Sequence, residues 1–518
     1  MMLIMSKIKF RVPGIGLYVI HRAVKPALYV TLLCLSMTKM SSAQPGDVVA
    51  AIRGTIPFID SAYRAFAVEH HSPGLAYALV YRGQLLHAGT FGYTDVEQQV
   101  PVTEKSVFRI ASMTKSFVAA AILQLRDAGK LRLDDPVEQY IPAFKQQPVP
   151  TDDAPAITIR HLLTHTSGMP EDDPWGDRLL DMDAETFYGL MKEGFSFSNT
   201  PGATYEYSNT PYALLGEIIR NVTGQPFDAY IDQHILRPLG MNDTYWEYTQ
   251  VPEALLAKGY RWLRGAHVRE TMVGHGVYGA MGGMLTTLGD FAKYMALHQQ
   301  AWPARNGADV QPLKRSSLRE MQAPWVFNTL AEYNGSLTSF AYGYALRWTR
   351  DAAQVTTVGH TGGLPGFGSN WMMLPDYDIG LVCFSNITYA PAAAINTYLA
   401  TEIVRRAALT PRKNPVSPVL ERRKQQLLQF LPAWEHAENS TAFSVNFFQD
   451  NPIDVLRETS KTVFDAAGAI VQVREFIPEN NLRGTFIIEC AKRNVEVFFS
   501  LSPEPTPRIQ QFSLKVID

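Results

Sequence analysis

Strand-like segments stand at both ends of a long, mostly helical stretch, and this arrangement restricts the possible folds more than any other feature of the chain. Two apolar runs near the start are joined by a turn at Arg82-Gly83, and three β-rich runs return only after residue 350. These runs cover residues 74–81, 84–91, 354–361, 369–374 and 379–385. The sequence therefore predicts an α+β fold, in which one antiparallel sheet built from both ends is flanked by helices and covered by a helical lobe.

The composition changes near residue 408, and the chain is long enough for more than one domain. A helix at 392–408 closes the first unit, and three prolines then punctuate a basic linker at 408–418. Beyond the linker, a helix that ends at Ala467 precedes four strand-like runs, at residues 470–476, 482–490, 495–501 and 509–516. We expect a first domain at residues 44–407 and a small α+β domain at 419–518.

The first 43 residues have the composition of an export signal. They carry six basic residues and no acidic one, a short apolar run at 27–35, and the small residues Ser41, Ser42 and Ala43. This pattern predicts a secretory signal peptide, residues 1–43, and hence a periplasmic or secreted protein. The apolar run is shorter than the ~20 residues of a membrane span, so no span is expected after signal removal. An uncleaved anchor and a mitochondrial transit peptide stay open as alternatives.

Charge and cysteine content argue against several classes of partner. The formal net charge is −2, and it becomes −8 without the basic residues of the leader, which does not favour a nucleic-acid partner. Outside the leader only Cys383 and Cys490 remain, and we expect both to be free, buried thiols. We expect no metal and no cofactor. The expected partner is a small molecule or short peptide, and the oligomeric state stays open.

Ser112 and Lys115 lie three residues apart at the start of a predicted helix that ends at Gly129. Residues at this spacing are neighbours on one helix face, so the amine can serve as a base for the hydroxyl. Backbone N–H groups at a helix start can hold developing negative charge, and apolar surroundings lower the pKa of a lysine. The same tetrapeptide, SMTK, also occurs at 36–39 inside the leader. Alone, it is better explained by a capping serine and a solvated lysine.

Two further segments have suitable chemistry. Tyr207 and Asn209 stand between a Pro-Gly turn and an apolar helix; a tyrosine beside cationic groups can be a general base, and an asparagine can orient a lysine. Residues 360–363 (HTGG) end a strand, where glycines let a substrate approach the strand edge and a backbone N–H can donate to an oxyanion. Alone, each segment is better explained as structure: a buried tyrosine with a turn asparagine, or a β-turn with a satisfied histidine.

Together and in this order, the segments resemble the serine β-lactamase and penicillin-binding-protein superfamily, which carries an S-x-x-K signature. The chain looks most like the class C branch, which includes D,D-carboxypeptidases, D-aminopeptidases, β-lactamase-type esterases and the mitochondrial β-lactamase-like serine protease. The resemblance covers roughly residues 50–406. It is carried by residues 108–115 (FRIASMTK), 131–137 (LRLDDPV), 159–168 (IRHLLTHTSG), 197–202 (FSNTPG) and 359–363 (GHTGG).

This resemblance implies a β-lactamase/transpeptidase-like fold and a role for each site residue. Ser112 would be the nucleophile, with Lys115 and Tyr207 sharing proton transfer, and Asn209 would orient the lysine and the substrate. The substrate-binding strand would present His360, Thr361, Gly362 and Gly363, and the backbone N–H groups of Ser112 and Gly363 would form the oxyanion hole. The implied reaction is two-step acyl transfer through an ester on Ser112. The histidine at the position of His165 looks structural in relatives, so we assign no catalytic role to His165.

One departure bears on the substrate. Many β-lactamases and transpeptidases carry lysine where this chain has His360, and a lysine cation suits a substrate carboxylate, whereas histidine near pH 7 is mostly neutral. We therefore expect a D-amino-acid peptide, amide or ester rather than a β-lactam. The alternative is a catalytically silent module that binds cell-wall peptides. Transpeptidation would require an acyl acceptor other than water.

The sequence assigns no catalytic or binding role to two regions of the chain. Residues 171–196, which include Asp172, Asp173 and Asp177, are expected to form an acidic, solvated loop near the pocket. The C-terminal domain resembles the cystatin-like or nuclear-transport-factor-like modules that are appended to some secreted hydrolases. We interpret it as a packing or dimerisation domain.

Overall fold

The computed structural model describes residues 45–145, 147–309 and 311–518, so the predicted signal peptide lies outside the described residues. Within these ranges, nine strands of the first domain form one antiparallel sheet in the order β3-β2-β1-β13-β12-β11-β10-β9-β8. The strands of this domain are β1 (Gly74–Tyr81), β2 (Gln84–Asp95), β3 (Val100–Pro101), β4 (Phe108–Arg109), β5 (Tyr260–Leu263), β6 (Ala266–Arg269), β7 (Leu285–Thr286), β8 (Val326–Tyr333), β9 (Ser336–Tyr342), β10 (Arg347–Arg350), β11 (Thr356–Leu364), β12 (Phe367–Leu374) and β13 (Ile379–Ser385).

Helices cover both faces of the sheet and build the lobe beside it. They are α1 (Pro45–Arg53), α2 (Ile56–Glu69), α3 (Lys115–Asp127), α4 (Ile159–Leu163), α5 (Asp173–Gly176), α6 (Ala184–Glu193), α7 (Thr210–Thr223), α8 (Phe227–Ile231), α9 (Arg237–Leu239), α10 (Gly279–Gly282), α11 (Leu288–Gln299), α12 (Arg315–Met321) and α13 (Ala392–Arg406).

The two ends of the domain meet in the middle of the sheet, as the sequence predicts. β1 pairs with β13 over its whole length, and β1 and β2 form the expected hairpin. Its turn places Arg82 at φ +50° and Gly83 at φ +74°, the left-handed geometry of a tight hairpin turn. An antiparallel sheet with helices and a helical lobe is thereby confirmed.

Alternate residues of β1 face two separate cores. Leu75 and Tyr77 pack with residues of α2 and α13, whereas Ala76 and Ala78 belong to the larger core around α3 and α11. Because both faces are covered, β1 is buried along its whole length. This explains why its sequence is a continuous apolar run rather than an alternating one.

The strands β8, β9 and β10 were not predicted, because the sequence pattern of residues 140–350 indicates mostly helices and loops. β8 is the edge strand of the sheet and leaves most of its residues exposed, so it lacks a buried face and an alternating pattern. β10 has only four residues. Their addition to the sheet brings β10 next to β11, at the strand edge where the HTGG segment lies.

Helix α3 is the central element of the lobe. Every residue from Lys115 to Leu123 is buried, as expected for a helix that is apolar on all sides. A 3-10 turn at residues 111–114 leads directly into it, and Gly129 ends it at φ +71°. The predicted helix between Ser112 and Gly129 is therefore confirmed.

The C-terminal region forms a separate small α+β domain with its own core. Its elements are α14 (Pro418–Phe430), α15 (Phe447–Asp450), α16 (Ile453–Ala467), β14 (Ile470–Val473), β15 (Ile477–Asn480), β16 (Arg483–Cys490), β17 (Asn494–Leu501) and β18 (Ile509–Ile517). The described sheet has five strands rather than the four predicted, because the first β-rich run breaks after Val473 and a short strand at 477–480 pairs with the opposite end of the same edge of β16.

Gly362 provides a test of how closely the sheet packs on the Ser112 turn. A Cβ atom at this position would lie 2.2 Å from Ile110 O and 2.3 Å from Ser369 Oγ, and these two atoms are themselves hydrogen-bonded at 2.8 Å. Gly362→Ala should therefore lower the free energy of unfolding by about 1–3 kcal/mol or more, measured by denaturant titration.

The matched control is Gly189→Ala on α6, where the added methyl group meets nothing within 4 Å. It should leave stability unchanged or raise it by up to about 1 kcal/mol, since alanine is the better helix former. Equal unfolding midpoints for Gly362→Ala and the wild type would contradict the packing described.

Candidate active site

Ser112 lies in a strained turn immediately before the central helix. β4 pairs with β7 and leads the chain to Ala111, which has φ +49°. A non-glycine residue in this left-handed region costs conformational energy, and such residues are frequent at functional sites. Ser112 follows in the 3-10 turn and keeps 6% of its surface exposed. The turn thus holds a hydroxyl group at the edge of a cleft.

The amine of Lys115 is fully buried and has three close oxygen neighbours. Its Nζ lies 2.9 Å from Ser112 Oγ, 2.7 Å from Asn209 Oδ1 and 3.0 Å from the carbonyl oxygen of Met281. The amide oxygen and the carbonyl oxygen can only accept, so they take two N–H groups. In the neutral amine the lone pair is then left for the hydroxyl hydrogen of Ser112. The geometry therefore suits transfer of a proton from Ser112 to Lys115.

The environment also adjusts the proton affinity of this amine. Burial lowers the pKa of Lys115 from 10.5 to about 8, and the carboxylates of Asp173, Asp177 and Asp172 limit the decrease. An amine with a pKa near 8 is partly neutral at physiological pH. It can accept a proton there, which an exposed lysine does poorly.

Tyr207 reaches the same hydroxyl from the loop before α7. Burial raises the pKa of Tyr207 well above 10, while a hydrogen bond with Ser112 and the charge of Arg347 act in the opposite direction. The Lys115 Nζ lies 5.1 Å from the centre of its ring. Because the phenol keeps its proton near neutral pH, Tyr207 is suited to donate a proton, and Lys115 is the better base.

Asn209 lies at the start of α7 and is held there by the acidic loop. Asp172 accepts the backbone N–H of Asn209 at 2.5 Å and that of Thr210 at 3.0 Å. Asp177 is 5% exposed and accepts a hydrogen bond from the hydroxyl of Tyr389. The expectation of a solvated acidic loop is therefore wrong for these carboxylates, which turn inward to polar groups of the site.

The edge of β11 borders the cleft beside Ser112. Within the described residues, β10 pairs with β11 only as far as Gly359, so the following residues have no strand neighbour on that side. Gly362 packs on the backbone of Ile110, and Gly363 lies against the ring of Tyr389. The hydroxyl of Thr361 accepts a hydrogen bond from Asn370 at 3.2 Å. Gly362 thus brings the β11 backbone close to the Ser112 turn.

His360 does not face the cleft in the way that the resemblance implies. It is 1% exposed, and both ring nitrogens are engaged within the protein. Its Nδ1–H donates to Thr361 O at 2.6 Å, and its Nε2 accepts from the hydroxyl of Tyr342 at 2.9 Å. Burial lowers the pKa of His360 well below 6.5. The ring is neutral and lies behind Tyr207, with 6.1 Å between the ring centres.

His165 continues this buried chain of hydrogen bonds. The N–H of Ser208 donates to its Nδ1 at 3.2 Å, so the proton of the neutral ring is on Nε2, which donates to the Tyr342 hydroxyl at 3.1 Å. The chain runs in one direction from Ser208 through His165, Tyr342 and His360 to the backbone of β11. It connects the segment of Tyr207 and Asn209 to the segment of Gly362 and supports a structural interpretation of both histidines.

Arg347 is a residue of the cleft that the sequence interpretation missed. It lies on β10 opposite Gly359, is exposed, and places its guanidinium 5.3 Å from the centre of the Tyr207 ring. A permanent cation therefore stands beside the strand on which histidine replaces lysine. The available signal was an arginine close in sequence to the HTGG segment, but its relevance depends on the pairing of β10 with β11.

Residues 45–145, 147–309 and 311–518 contain no group of three or more histidine, cysteine or acidic side chains arranged to hold a metal ion. The same residues include no helix with the length and apolar character needed to cross a bilayer. Cys383 and Cys490 are free thiols, as expected; Cys383 is buried, whereas Cys490 is partly exposed, so the expectation of burial is wrong for Cys490.

A serine, a buried lysine and a tyrosine that meet at a helix start, beside an open strand edge, define the class of serine hydrolases of the Ser–Lys type. The chain belongs to the beta-lactamase family: the family profile described as Beta-lactamase matches residues 59–405. This match covers nearly all of the first domain, including every residue of the site.

Similar proteins support the same assignment. The chain is 29% identical over 368 residues to Protein flp of Staphylococcus aureus strain MW2, covering 69% of each chain. It is 27% identical over 325 residues to Penicillin-binding protein 4* of Bacillus subtilis strain 168, covering 59% of this chain and 66% of the relative.

Two solved structures share the fold. An octameric penicillin-binding protein homologue from Pyrococcus abyssi has a TM-score of 0.55 at 21% identity, covering 89% of this chain and 96% of the other. A class C beta-lactamase has a TM-score of 0.54 at 20% identity, covering 68% and 96%. The predicted family and fold class are therefore confirmed.

The lowered pKa of Lys115 predicts a pH dependence for the reactivity of Ser112. Only the neutral amine can take the hydroxyl proton, so the rate of labelling by a fluorophosphonate should rise from pH 6 to pH 9.5 with a midpoint near 8. Lys115→Met should reduce the labelling rate by about 10²–10⁴-fold. Lys130→Met, which changes an exposed lysine just beyond α3, is the matched control. A labelling rate that is the same at pH 6 and pH 9.5 would contradict this assignment.

Proposed function

We propose that the chain is a serine hydrolase that forms an acyl-enzyme on Ser112 and acts on a peptide, amide or ester. The observation that carries the proposal is the set of contacts of Lys115, whose amine is buried, has a pKa near 8 and lies 2.9 Å from Ser112 Oγ. A buried cation would be costly if the amine had only a structural task, because burial penalises the charged form.

In the proposed reaction, Ser112 Oγ attacks the substrate carbonyl carbon while its proton passes to the neutral amine of Lys115. The carbonyl oxygen becomes an oxyanion near the N–H groups of Ser112 and Gly363, and each such donor typically contributes ~3–4 kcal/mol to catalysis. The tetrahedral intermediate then expels the amine or alcohol, which takes a proton from the Tyr207 hydroxyl, and Lys115 returns a proton to Tyr207. Water then attacks the carbonyl carbon of this ester in place of the amine or alcohol. The proton transfers through Tyr207 and Lys115 run in the opposite direction, so that Ser112 regains its hydroxyl proton.

Arg347 supports a substrate with a free carboxylate. His360 is neutral and buried, so it cannot provide the charge that a lysine supplies at this position in many relatives. Arg347 is an exposed residue whose guanidinium stands over the Tyr207 ring, and this group can receive a carboxylate in two parallel hydrogen bonds. We therefore favour a substrate with a free carboxylate, such as a peptide with a D-amino acid at its carboxyl end, over an uncharged ester.

We also propose that the enzyme acts in the periplasm or outside the cell, on the basis of the leader sequence. Relatives named as penicillin-binding proteins make recognition of cell-wall peptides a reasonable specific form of this proposal. The alternative of a silent binding module stays testable, because such a module would leave Ser112 unreactive. The C-terminal domain is assigned no part in the reaction.

Labelling of Ser112 tests the reaction class directly. The wild type should react with a fluorophosphonate, and Ser112→Ala should lose the label while keeping the same thermal unfolding midpoint. Additional labelling by a fluorescent penicillin would extend the proposal to a penicillin-recognising enzyme, and labelling by the fluorophosphonate alone indicates an esterase or amidase. Labelling by neither reagent would identify a binding protein and contradict the proposal.

Arg347→Gln tests the substrate class. For an N-acylated D-alanyl-D-alanine with a free carboxylate, KM should rise about tenfold to a hundredfold, the usual value of a charged hydrogen bond, while hydrolysis of the corresponding C-terminal amide stays unchanged. Arg350→Gln, an exposed arginine on the same strand, should leave both substrates unaffected. A wild type that does not distinguish the free acid from the amide would exclude the proposed role of Arg347.

A further inference from the structure

We propose that Asp173 and Asp177 are a positioning pair that fixes the orientation of the Asn209 side-chain amide. Through this amide, the pair sets the position of the Lys115 amine relative to Ser112 Oγ. This inference rests on the proposed function and extends it to two residues to which neither the sequence patterns nor the resemblance gives a task. The pair comes from the beginning and the end of α5, a short helix in the acidic loop beside the cleft. Neither carboxylate is proposed to contact the substrate.

The first argument is the direction of the hydrogen bonds at Asn209. Its Nδ2 group donates to Asp173 Oδ1 at 2.9 Å and points its other hydrogen towards Asp177 Oδ1 at 3.4 Å. Carboxylates can only accept, so the NH2 group of the amide is directed to the loop. The amide oxygen is then turned to Lys115, whose Nζ donates to it at 2.7 Å. A reversed amide would present N–H groups to the lysine and remove that acceptor.

The second argument is that α5 is fastened to the start of α7. Asp172, at the N-terminal end of α5, accepts hydrogen bonds from the backbone N–H groups of Asn209 and Thr210 and from the hydroxyl of Thr210. Negative charge near a helix N-terminus is favourable because the helix dipole places positive charge there. The loop therefore stays next to Asn209 and does not swing freely in solvent.

The third argument is a link from Asp177 across the mouth of the cleft. Its Oδ2 accepts a hydrogen bond of 2.9 Å from the hydroxyl of Tyr389, whose ring lies against Gly363. Asp177 thereby connects the lysine side of the site, through Asn209, with the strand edge that carries the oxyanion donor. At 5% exposure this carboxylate is not a solvated surface group.

The charges of the pair also act on the amine. Asp173 and Asp177 favour the protonated form of Lys115 and raise its pKa, which partly offsets the effect of burial. Burial and the charge of Asp173 in turn raise the pKa of Asp177 to about 7. The other titratable groups that face this cluster and Lys115 from the surrounding elements are Asp172, Arg178, Tyr205, Tyr207, Tyr278, Arg347 and Tyr389, together with His165 and His360.

The test uses the full chain and the rate of fluorophosphonate labelling of Ser112 between pH 5 and pH 10. In this reaction Ser112 Oγ forms the bond to phosphorus, fluoride leaves, and the hydroxyl proton passes to Lys115. Asp177→Asn removes one negative charge, so the pKa of Lys115 should fall and the midpoint of the rate profile should move to lower pH by about one unit. The plateau rate should fall about tenfold, because the new NH2 group competes with that of Asn209 for acceptors.

Three further variants separate positioning from simple structural damage. Asp177→Glu keeps the charge and should restore the wild-type midpoint. Asp181→Asn, an exposed carboxylate four residues further along the same segment, should leave the profile unchanged. Tyr389→Phe should shift the midpoint in the same direction as Asp177→Asn but by less, and the double variant should shift it no further than Asp177→Asn alone. If Asp177→Asn fails to fold, Asp173→Asn should give the same downward shift.

The outcomes distinguish this inference from the proposed function. A wild type that the fluorophosphonate does not label would end both. A labelled wild type whose Asp177→Asn and Asp173→Asn variants keep the original midpoint and plateau rate would overturn the positioning role and leave the proposed function intact. A loss of rate with an unchanged midpoint in both variants, not recovered by Asp177→Glu, would likewise assign the carboxylates to structure alone.

Discussion

The site depends on one buried amine. Lys115 lies on a helix whose neighbouring residues are apolar and buried, and water cannot replace the interactions that the protein supplies to it. Burial makes the neutral form accessible, while Asn209 and the carbonyl oxygen of Met281 hold two of its hydrogens. The lone pair of the neutral amine is then directed at the hydroxyl group of Ser112. The rest of the first domain can be understood as the structure needed to keep a lysine in this position.

Three separate parts of the chain support that position. The acidic loop holds Asn209 from one side, and the buried chain from Ser208 through His165, Tyr342 and His360 reaches β11 from another. Gly362 of β11 then lets the strand approach the Ser112 turn to a distance that any side chain would prevent. Each support acts on residues that are polar and buried, where an unsatisfied group costs most.

The substrate side of the cleft follows a different principle. Arg347 is exposed and His360 is buried, so the cation available to a ligand comes from β10 and not from the strand segment that resembles the family motif. The family motif indicates that β11 borders the site. In this chain, however, the cation lies on the neighbouring strand β10. The substitution of lysine by histidine in the sequence is therefore a poor guide to the electrostatics of the cleft unless the strand pairing is known.

By itself, the sequence determined the family, the α+β fold, the hairpin at β1 and β2, the helix after Ser112 and the residues that could serve as nucleophile and base. These features depend on local periodicity, turn chemistry and short motifs, which are written in consecutive residues. The tertiary structure alone decided that β8 to β10 extend the sheet, that Arg347 enters the cleft, that His360 faces inward and that Asp173 and Asp177 turn toward Asn209. Those outcomes depend on contacts between residues far apart in the chain and on exposed or short strands, whose sequences carry no periodic signal.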